Sequence, residues 1–438
     1  MAIALAKPKE ISPARLAAFK ILQQVETGAF SSVLLAAAEP QLAPADRALC
    51  HELVLGVLRR QLLLDKIVEH FAQRRGERLD TAVRIALRLA LYQLRYLTRI
   101  PASAAVNESV SLVRAARLSS ATAFVNAVLR RAVREPEYDP AVDISAPLER
   151  IAVQTSHPPW LIERWAAAFG VDEAEAFARV NNVVPPTAFR VVKALANEDD
   201  VLRKLRDGGA NVTASEIAEG AWRVSGGTAR LRELSDAGEV YLQDEASQLV
   251  AQSVAVKRGE RVLDLCAAPG GKTTLIADRA GDHAVIVAAD ISAPRMATVI
   301  ATARLHRLNS IKPVILDAAR PLPFAPESFD KVVVDAPCSG TGTLRRNPEI
   351  RWRLSPADIP RLAEQQKQML IRAAEVVKPG GRLVYSTCSV EREENEGVIE
   401  VMHDNGRFRL LKTTRTWPHV DGSDGFFIAV FEKTSVRA

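Results

Sequence analysis

The sequence predicts a multidomain protein: an N-terminal all-α bundle, a small α+β unit, and a C-terminal α/β unit on a doubly wound, mostly parallel sheet. Three observations carry this. Residues 10–135 keep apolar side chains at helical three- and four-residue spacing. Residues 150–245 mix helical stretches with short strands. From about residue 246, short apolar runs alternate regularly with helical segments, the pattern of a parallel sheet wrapped by helices.

In the first part, Ala14–Leu22 and Val83–Leu94 show the helical spacing most clearly. Asp46 is placed as an N-cap for a helix over Arg47–Leu58. Pro101 interrupts the pattern, and Ser119–Ser120 are expected to open a last helix ending near Arg131. Cys50 reads as a small core residue. Pro136, Pro140 and Pro147 among charged residues read as a linker. Thr187–Val192 is the clearest strand of the middle part. In the last part the expected strands are Arg261–Leu265, Ala284–Ala289, Lys312–Leu316, Lys331–Asp335, Arg382–Tyr385 and Phe426–Phe431. The expected domains are residues 1–140, 150–245 and 246–438.

At 438 residues the chain is too long for one core, so several domains are expected. It is 48% hydrophobic and 25% charged, a globular composition, and holds no uncharged apolar run of membrane-spanning length. The start, Met1–Lys7, lacks the charge order and length of a signal peptide. Four cysteines, at spacings unlike a zinc ribbon or a disulfide framework, fit a reducing cytoplasm. A cytoplasmic, monomeric protein with no metal and no membrane association is therefore expected. Residues 1–140 carry 20 Lys and Arg against 13 Asp and Glu, while the rest is near neutral. That excess fits nucleic-acid contact, and equally a solvated helical surface.

Leu263–Thr273 reads as a strand, a tight Gly-rich turn and a helix start, which lets a ligand meet backbone amides at a helix N-terminus. It is not a P-loop, because Cys266 stands where that motif needs glycine, and the dinucleotide pattern is absent. Asp290, Asp317 and Asp335 end the next strands. A carboxylate closing the second strand is placed for ribose hydroxyls, and one closing the third for an adenine amino group. The set suits an adenosyl group without a pyrophosphate, so S-adenosylmethionine fits better than NAD or ATP. The expected cofactor residues are Cys266, Ala267, Ala268, Pro269, Gly270, Gly271, Lys272, Asp290, Asp317 and Asp335. Cys338, in Asp335-Ala-Pro-Cys-Ser-Gly, and Cys388, in Tyr385-Ser-Thr-Cys-Ser, both end expected strands. Two thiols in such similar places point to paired chemistry.

These motifs resemble the RNA cytosine-5 methyltransferase family, in its bacterial 16S rRNA branch. Asp264–Thr273 is similar to the family's cofactor motif, the Pro-Cys and Thr-Cys segments to its two cysteine motifs, and Asp424–Ala429 to its closing strand. Leu91–Tyr96, Val106–Val110 and Phe124–Arg130 resemble a NusB-like helical RNA-binding domain. Ser156–Trp160 and Pro186–Arg190 resemble the small RNA-binding subdomain ahead of the core. The resemblance implies a Rossmann-like class I methyltransferase that moves a methyl group from S-adenosylmethionine to carbon 5 of a cytosine in 16S rRNA, cytosine 967. The same chemistry on tRNA, or a non-catalytic RNA-binding assembly factor, are the alternatives.

Carbon 5 of cytosine is a poor nucleophile until a thiolate adds at carbon 6, and cysteine is the residue suited to that addition. A carboxylic acid near the nucleophile can protonate or hydrogen-bond N3, a role for Asp335. A general base must then take the carbon-5 proton, and a second thiol can serve. Chemistry alone leaves the order of the thiols open: DNA cytosine methyltransferases use the Pro-Cys thiol for attack, which would choose Cys338. The resemblance to the RNA family assigns attack to Cys388 and release to Cys338. The base must leave its stack, and RNA loops offer accessible bases. Arg190, by resemblance, and Arg345, Arg346 and Arg351 in the basic stretch Arg345–Trp352 are the expected RNA contacts.

Overall fold

The computed structural model describes residues 11–73, 78–402 and 406–434. The expectation about Met1–Lys7 lies outside them. The chain forms two compact units: Met1–Val183 with Leu344–Arg353, and Val184–Thr343 with Leu354–Ala438.

The first unit is helical: α1 (Pro13–Glu26), α2 (Ser31–Ala38), α3 (Pro44–Arg59), α4 (Gln61–Ala72), α5 (Thr81–Tyr96), α6 (Ala102–Ala115), α7 (Thr122–Arg134), α8 (Pro147–Thr155), α9 (Pro159–Phe169) and α10 (Val171–Val180). Helix α5 is the core element. It is apolar almost all round, with Val83, Ile85, Ala86, Leu87, Leu89, Ala90 and Leu91 buried, as a central helix must be. Its Asp80 caps the start by accepting from Ala82 N at 2.8 Å. Asp46 is not the N-cap of α3. Pro44, whose φ is already helical, starts that helix two residues earlier and places Asp46 in the first turn, where its charge favours the helix dipole.

Helices α8–α10 pack with this unit. The Ser156 hydroxyl, after α8, accepts from Leu62 N at 2.8 Å near the start of α4, and Leu161, Ile162, Trp165 and Phe177 are buried. The proline-rich stretch 135–146 is therefore a connection inside one unit. Leu344–Arg353 also packs here. The Glu349 carboxylate accepts from Ser31 N and Ser31 Oγ, each at 2.9 Å, capping α2.

The second unit holds two sheets. The smaller is antiparallel, with strands β1 (Thr187–Val191), β2 (Asn211–Ala214), β3 (Ala221–Ser225) and β4 (Val240–Leu242) in the order β2-β3-β1-β4. The larger comprises β5 (Arg261–Leu265), β6 (Val285–Asp290), β7 (Ile311–Ile315), β8 (Phe329–Asp335), β9 (Val377–Thr387), β10 (Phe408–Arg415) and β11 (Phe427–Lys433). Its order is β10-β11-β9-β8-β5-β6-β7. The five strands β5 to β9 run parallel, while β11 and β10 close the sheet antiparallel. Strands β5, β8 and β9 are central, and their buried runs Val262–Leu263, Val332–Val334 and Leu383–Tyr385 are apolar because helices cover both faces. The connection order reverses beside β5, where open α/β sheets bind ligands at the carboxyl ends of their strands. No described helix is long and apolar enough to cross a membrane, and no metal-binding group of His, Cys, Asp or Glu occurs among the described residues.

Candidate active site

The carboxyl ends of β5, β6, β8 and β9 carry the site. After β5 the chain turns through Cys266–Gly270 into a helix at Gly271–Arg279. Gly270 has φ +106°, and a Cβ there would come 3.1 Å from Val299 Cα, so the turn needs glycine for both conformation and space. The β6 carboxylate, Asp290, buttresses this turn: it accepts from Ala268 N at 3.2 Å and from Ser292 N at 2.9 Å. Asp317 stands beyond β7, accepts from Ala319 N at 3.0 Å and pairs with Arg320 at 3.4 Å. The structure thus joins Asp290 to the turn, while Asp317 serves its own loop.

A cavity opens on the turn. It is lined by Cys266, Ala267, Ala268, Pro269, Gly271, Lys272 and Asp335, and also by Asp264. Asp264 is buried inside β5, where Thr273 Oγ1 donates to its Oδ2 at 2.6 Å. Its Oδ1 is buried without a partner among the described residues. Burial raises this carboxyl to about 7 against the pull of the Thr273 bond, with the charge of Asp335 adding to the rise. Lining residues Tyr241, Gln243 and Ser247 come from the end of β4 and the residues after it.

Lys272 Nζ donates to Asp335 Oδ2 at 2.6 Å, and Ser386 Oγ donates to Asp335 Oδ1 at 2.8 Å. Both oxygens of the strand-end carboxylate are therefore held. Burial works against the Lys272 charge, but the Asp335 carboxylate outweighs it and holds the ammonium above the ordinary lysine range.

Cys338 and Cys388 meet. Their sulfurs are 3.3 Å apart, although the residues are far separated in sequence. The backbone locks them together: Gly342 N donates to Cys388 O at 2.9 Å, and Gly425 N donates to Gly342 O at 2.8 Å. A Cβ on Gly342 would lie 2.0 Å from Gly425 O, so this approach requires glycine. The Cys388 thiol, then burial, push the Cys338 thiol well above the ordinary range. Burial likewise drives Cys266 far up, and Cys50 is pushed up to about 11, so neither is a reactive thiol.

Three of the expected RNA contacts are corrected. Arg190 is buried, donating to Gln243 Oε1 at 3.2 Å and Thr274 Oγ1 at 2.9 Å, which ties β1 to the cofactor-turn helix. Arg351 is buried in the helical unit, donating to Ser156 O, Asn182 Oδ1 and Asn181 O. Arg345 is buried as well, and its carbonyl accepts from Arg59. Guanidinium groups already desolvated and bonded inside the protein do not present themselves to RNA. Arg346 is half-buried.

The expected cofactor residues did not include Tyr241, Gln243 and Ser247, nor Asp264, although Asp264 opens the cofactor motif. Asp264 had a signal, a lone carboxylate inside an apolar strand, which folding tolerates only where the group has work or a partner. The other three had none, since only tertiary packing brings them to the cavity.

Residues 251–432 match the family described as 16S rRNA methyltransferase RsmB/F, residues 12–134 the NusB family, and residues 157–229 an RsmF/B-like ferredoxin-like domain. A probable ribosomal RNA small subunit methyltransferase B of Bacillus subtilis is 34% identical, over 97% of this chain and 99% of that protein. A ribosomal RNA small subunit methyltransferase B of Erwinia tasmaniensis is also 34% identical, over 95% and 98% respectively. The crystal structure of PH0851 superposes with a TM-score of 0.84 at 30% identity, covering 98% of this chain and all of that one. With a NusB domain, a ferredoxin-like subdomain and a methyltransferase sheet in this order, the chain belongs to the ribosomal RNA small subunit methyltransferase B family of 16S rRNA methyltransferases.

Proposed function

We propose that this protein transfers the methyl group of S-adenosylmethionine to carbon 5 of a cytosine in 16S rRNA, cytosine 967 by resemblance, through a covalent adduct on Cys388. The contact of two strand-end sulfurs at 3.3 Å, beside the Lys272–Asp335 pair and the Gly-rich turn, carries this reading.

The cavity fits the cofactor. Asp264 Oδ1 is a buried acceptor without a partner, suited to a cationic group, and the turn offers backbone and small side chains for close approach. Asp264, the turn Cys266–Gly271 and Lys272 would hold it, with Asp290 and Asp317 as the outer carboxylates. When bound, S-adenosylmethionine supplies an electrophilic methyl group.

The protein's own groups do the rest. Cys388 adds to carbon 6 of the base, with the Cys338 sulfur in contact beside it. Asp335, oriented by Lys272 and Ser386, meets N3 as electron density builds on the ring. Once Cys388 is bonded to carbon 6, Cys338 gives its proton to solvent; after methylation its thiolate takes the carbon-5 proton, and the bond from Cys388 to carbon 6 breaks and returns Cys388 as a thiolate. Arg346 remains a proposed RNA contact.

Incubating the protein with labelled S-adenosylmethionine and unmodified 16S rRNA is expected to deposit 5-methylcytosine at one site, mapped by bisulfite sequencing or mass spectrometry. No transfer by folded protein, or label at another base atom, overturns the reading.

Asp264 makes cofactor binding depend on pH. Its carboxyl, raised to about 7, must ionise to meet a cation, and a bound cation lowers its pKa. Affinity is therefore full above pH 7 and weakens as pH falls below it, by up to about tenfold per unit. Calorimetric titration with S-adenosylmethionine between pH 8 and 6 reads this slope, and Asp264→Asn is expected to bind more weakly with the slope removed.

A further inference from the structure

Behind the two sulfurs lies a buried carboxylate that the methyl-transfer scheme does not use. Glu394 is fully buried and has no cation partner among the described residues. Four donors converge on it. Ser339 N donates to Oε1 at 2.8 Å and Gln366 Nε2 to the same oxygen at 2.9 Å. Ser389 Oγ donates to Oε2 at 2.5 Å, joined there by Ser339 Oγ. A carboxyl group is buried at high cost unless both its oxygens are bonded, so these partners must be fixed in place.

The origin of those donors is the informative point. Ser339 directly follows Cys338, and Ser389 directly follows Cys388; their hydroxyls are 3.0 Å apart. Gln366, besides donating to Glu394, donates to Pro337 O at 2.9 Å, so Cys338 is tethered on both sides. The next residue, Asn395, does the same for Cys388: its Oδ1 accepts from Thr387 Oγ1 at 2.5 Å, and its Nδ2 donates to Ser389 O at 2.9 Å. Tyr385 OH donates to the Glu394 carbonyl at 2.6 Å and holds the segment against β9. A carboxylate meant only to stabilise the fold has no reason to draw its donors from the neighbours of both thiols.

We infer that Glu394 is a positioning residue that clamps the two cysteine loops together and so sets the contact between Cys338 and Cys388. The inference rests on the proposed two-thiol chemistry for its role in turnover, but the clamp itself concerns only the distance between the sulfurs.

That distance is measurable without methyl transfer. Diamide oxidises two adjacent thiols to a disulfide and takes up their two hydrogens, and peptide mapping without reductant quantifies the Cys338–Cys388 bond. In the full-length protein, Glu394→Ala is expected to slow its formation by about tenfold or more, since a loosened pair loses proximity. Glu394→Gln keeps the shape and two of the acceptor contacts, while the serine hydroxyls can rotate to accept. It is expected to restore most of the wild-type rate. In transfer assays Glu394→Ala lowers kcat by a similar factor and leaves KM for S-adenosylmethionine within about twofold. Disulfide formation at the wild-type rate in a folded Glu394→Ala protein overturns the clamp. If that variant loses its cooperative melting transition, Ser389→Ala removes one tether and is read by the same rate. Failure of wild-type protein to methylate rRNA would sink the functional reading, and the cross-linking rates would still judge the clamp.

Discussion

Cys388→Ala is expected to abolish methyl transfer, while Cys338→Ala is expected to stall after it. The thiol that adds to carbon 6 has no substitute in the site: Cys266 is held as a neutral thiol by burial, and the other sulfur in contact is Cys338 itself. Loss of the nucleophile should reduce incorporation by about 10⁴-fold or more. Loss of Cys338 leaves addition and methylation intact but removes the base that takes the carbon-5 proton, so the protein stays bonded to its product. A denaturing gel reads this as a slow protein–RNA band from Cys338→Ala and none from Cys388→Ala. The reverse pattern would exchange the two roles. The stated order rests on the resemblance of the Thr-Cys and Pro-Cys segments to the RNA family's two cysteine motifs.

Asp335→Asn is expected to lower kcat by about 10²- to 10⁴-fold, the usual worth of a placed acid–base group. The amide keeps an acceptor for Ser386 but can neither pass a proton to N3 nor balance Lys272. The fold should survive, since Asp335 is partly exposed at a strand end, whereas the buried ammonium loses its partner. That loss has a pH signature. Lys272 has a raised pKa in the folded protein, so the pair's stabilisation is fully present below the ordinary lysine value and fades only as pH rises through the raised one. At neutral pH the variant should therefore melt below the wild type, and the gap should narrow in strong alkali. Thermal melts at pH 7 and above 10 measure both. An unchanged kcat would remove Asp335 from the chemistry.

Much of this was legible in the chain. The parallel strands announced themselves as apolar runs because both faces of the sheet are covered, and three of them led into Asp290, Asp335 and Cys388. The edge strand β10 was not legible: none of its side chains is buried, so it shows no alternation of buried and exposed positions. Arg190, Arg345 and Arg351 misled for the opposite reason. Charge in a sequence is read as surface, yet all three side chains are buried, with the Arg190 and Arg351 guanidiniums bonded to carbonyl and side-chain oxygens, a choice that only the packing reveals. The start of α3 shifted because a proline at the first helical position outweighed an acidic residue two places on.

Local chemistry was thus determined by the sequence alone: a Gly-rich turn, a series of strand-end acids, and two thiols in matching contexts. Each depends on neighbours within a few residues, and local backbone preference settles their conformation. What the tertiary structure decided is who meets whom. The contact between Cys338 and Cys388, the grip of Lys272 and Ser386 on Asp335, the cavity residues from the smaller sheet, and the buried Glu394 behind both thiols all join segments distant in the chain. Such meetings follow from strand order and parallel register, and no spacing in the sequence encodes them.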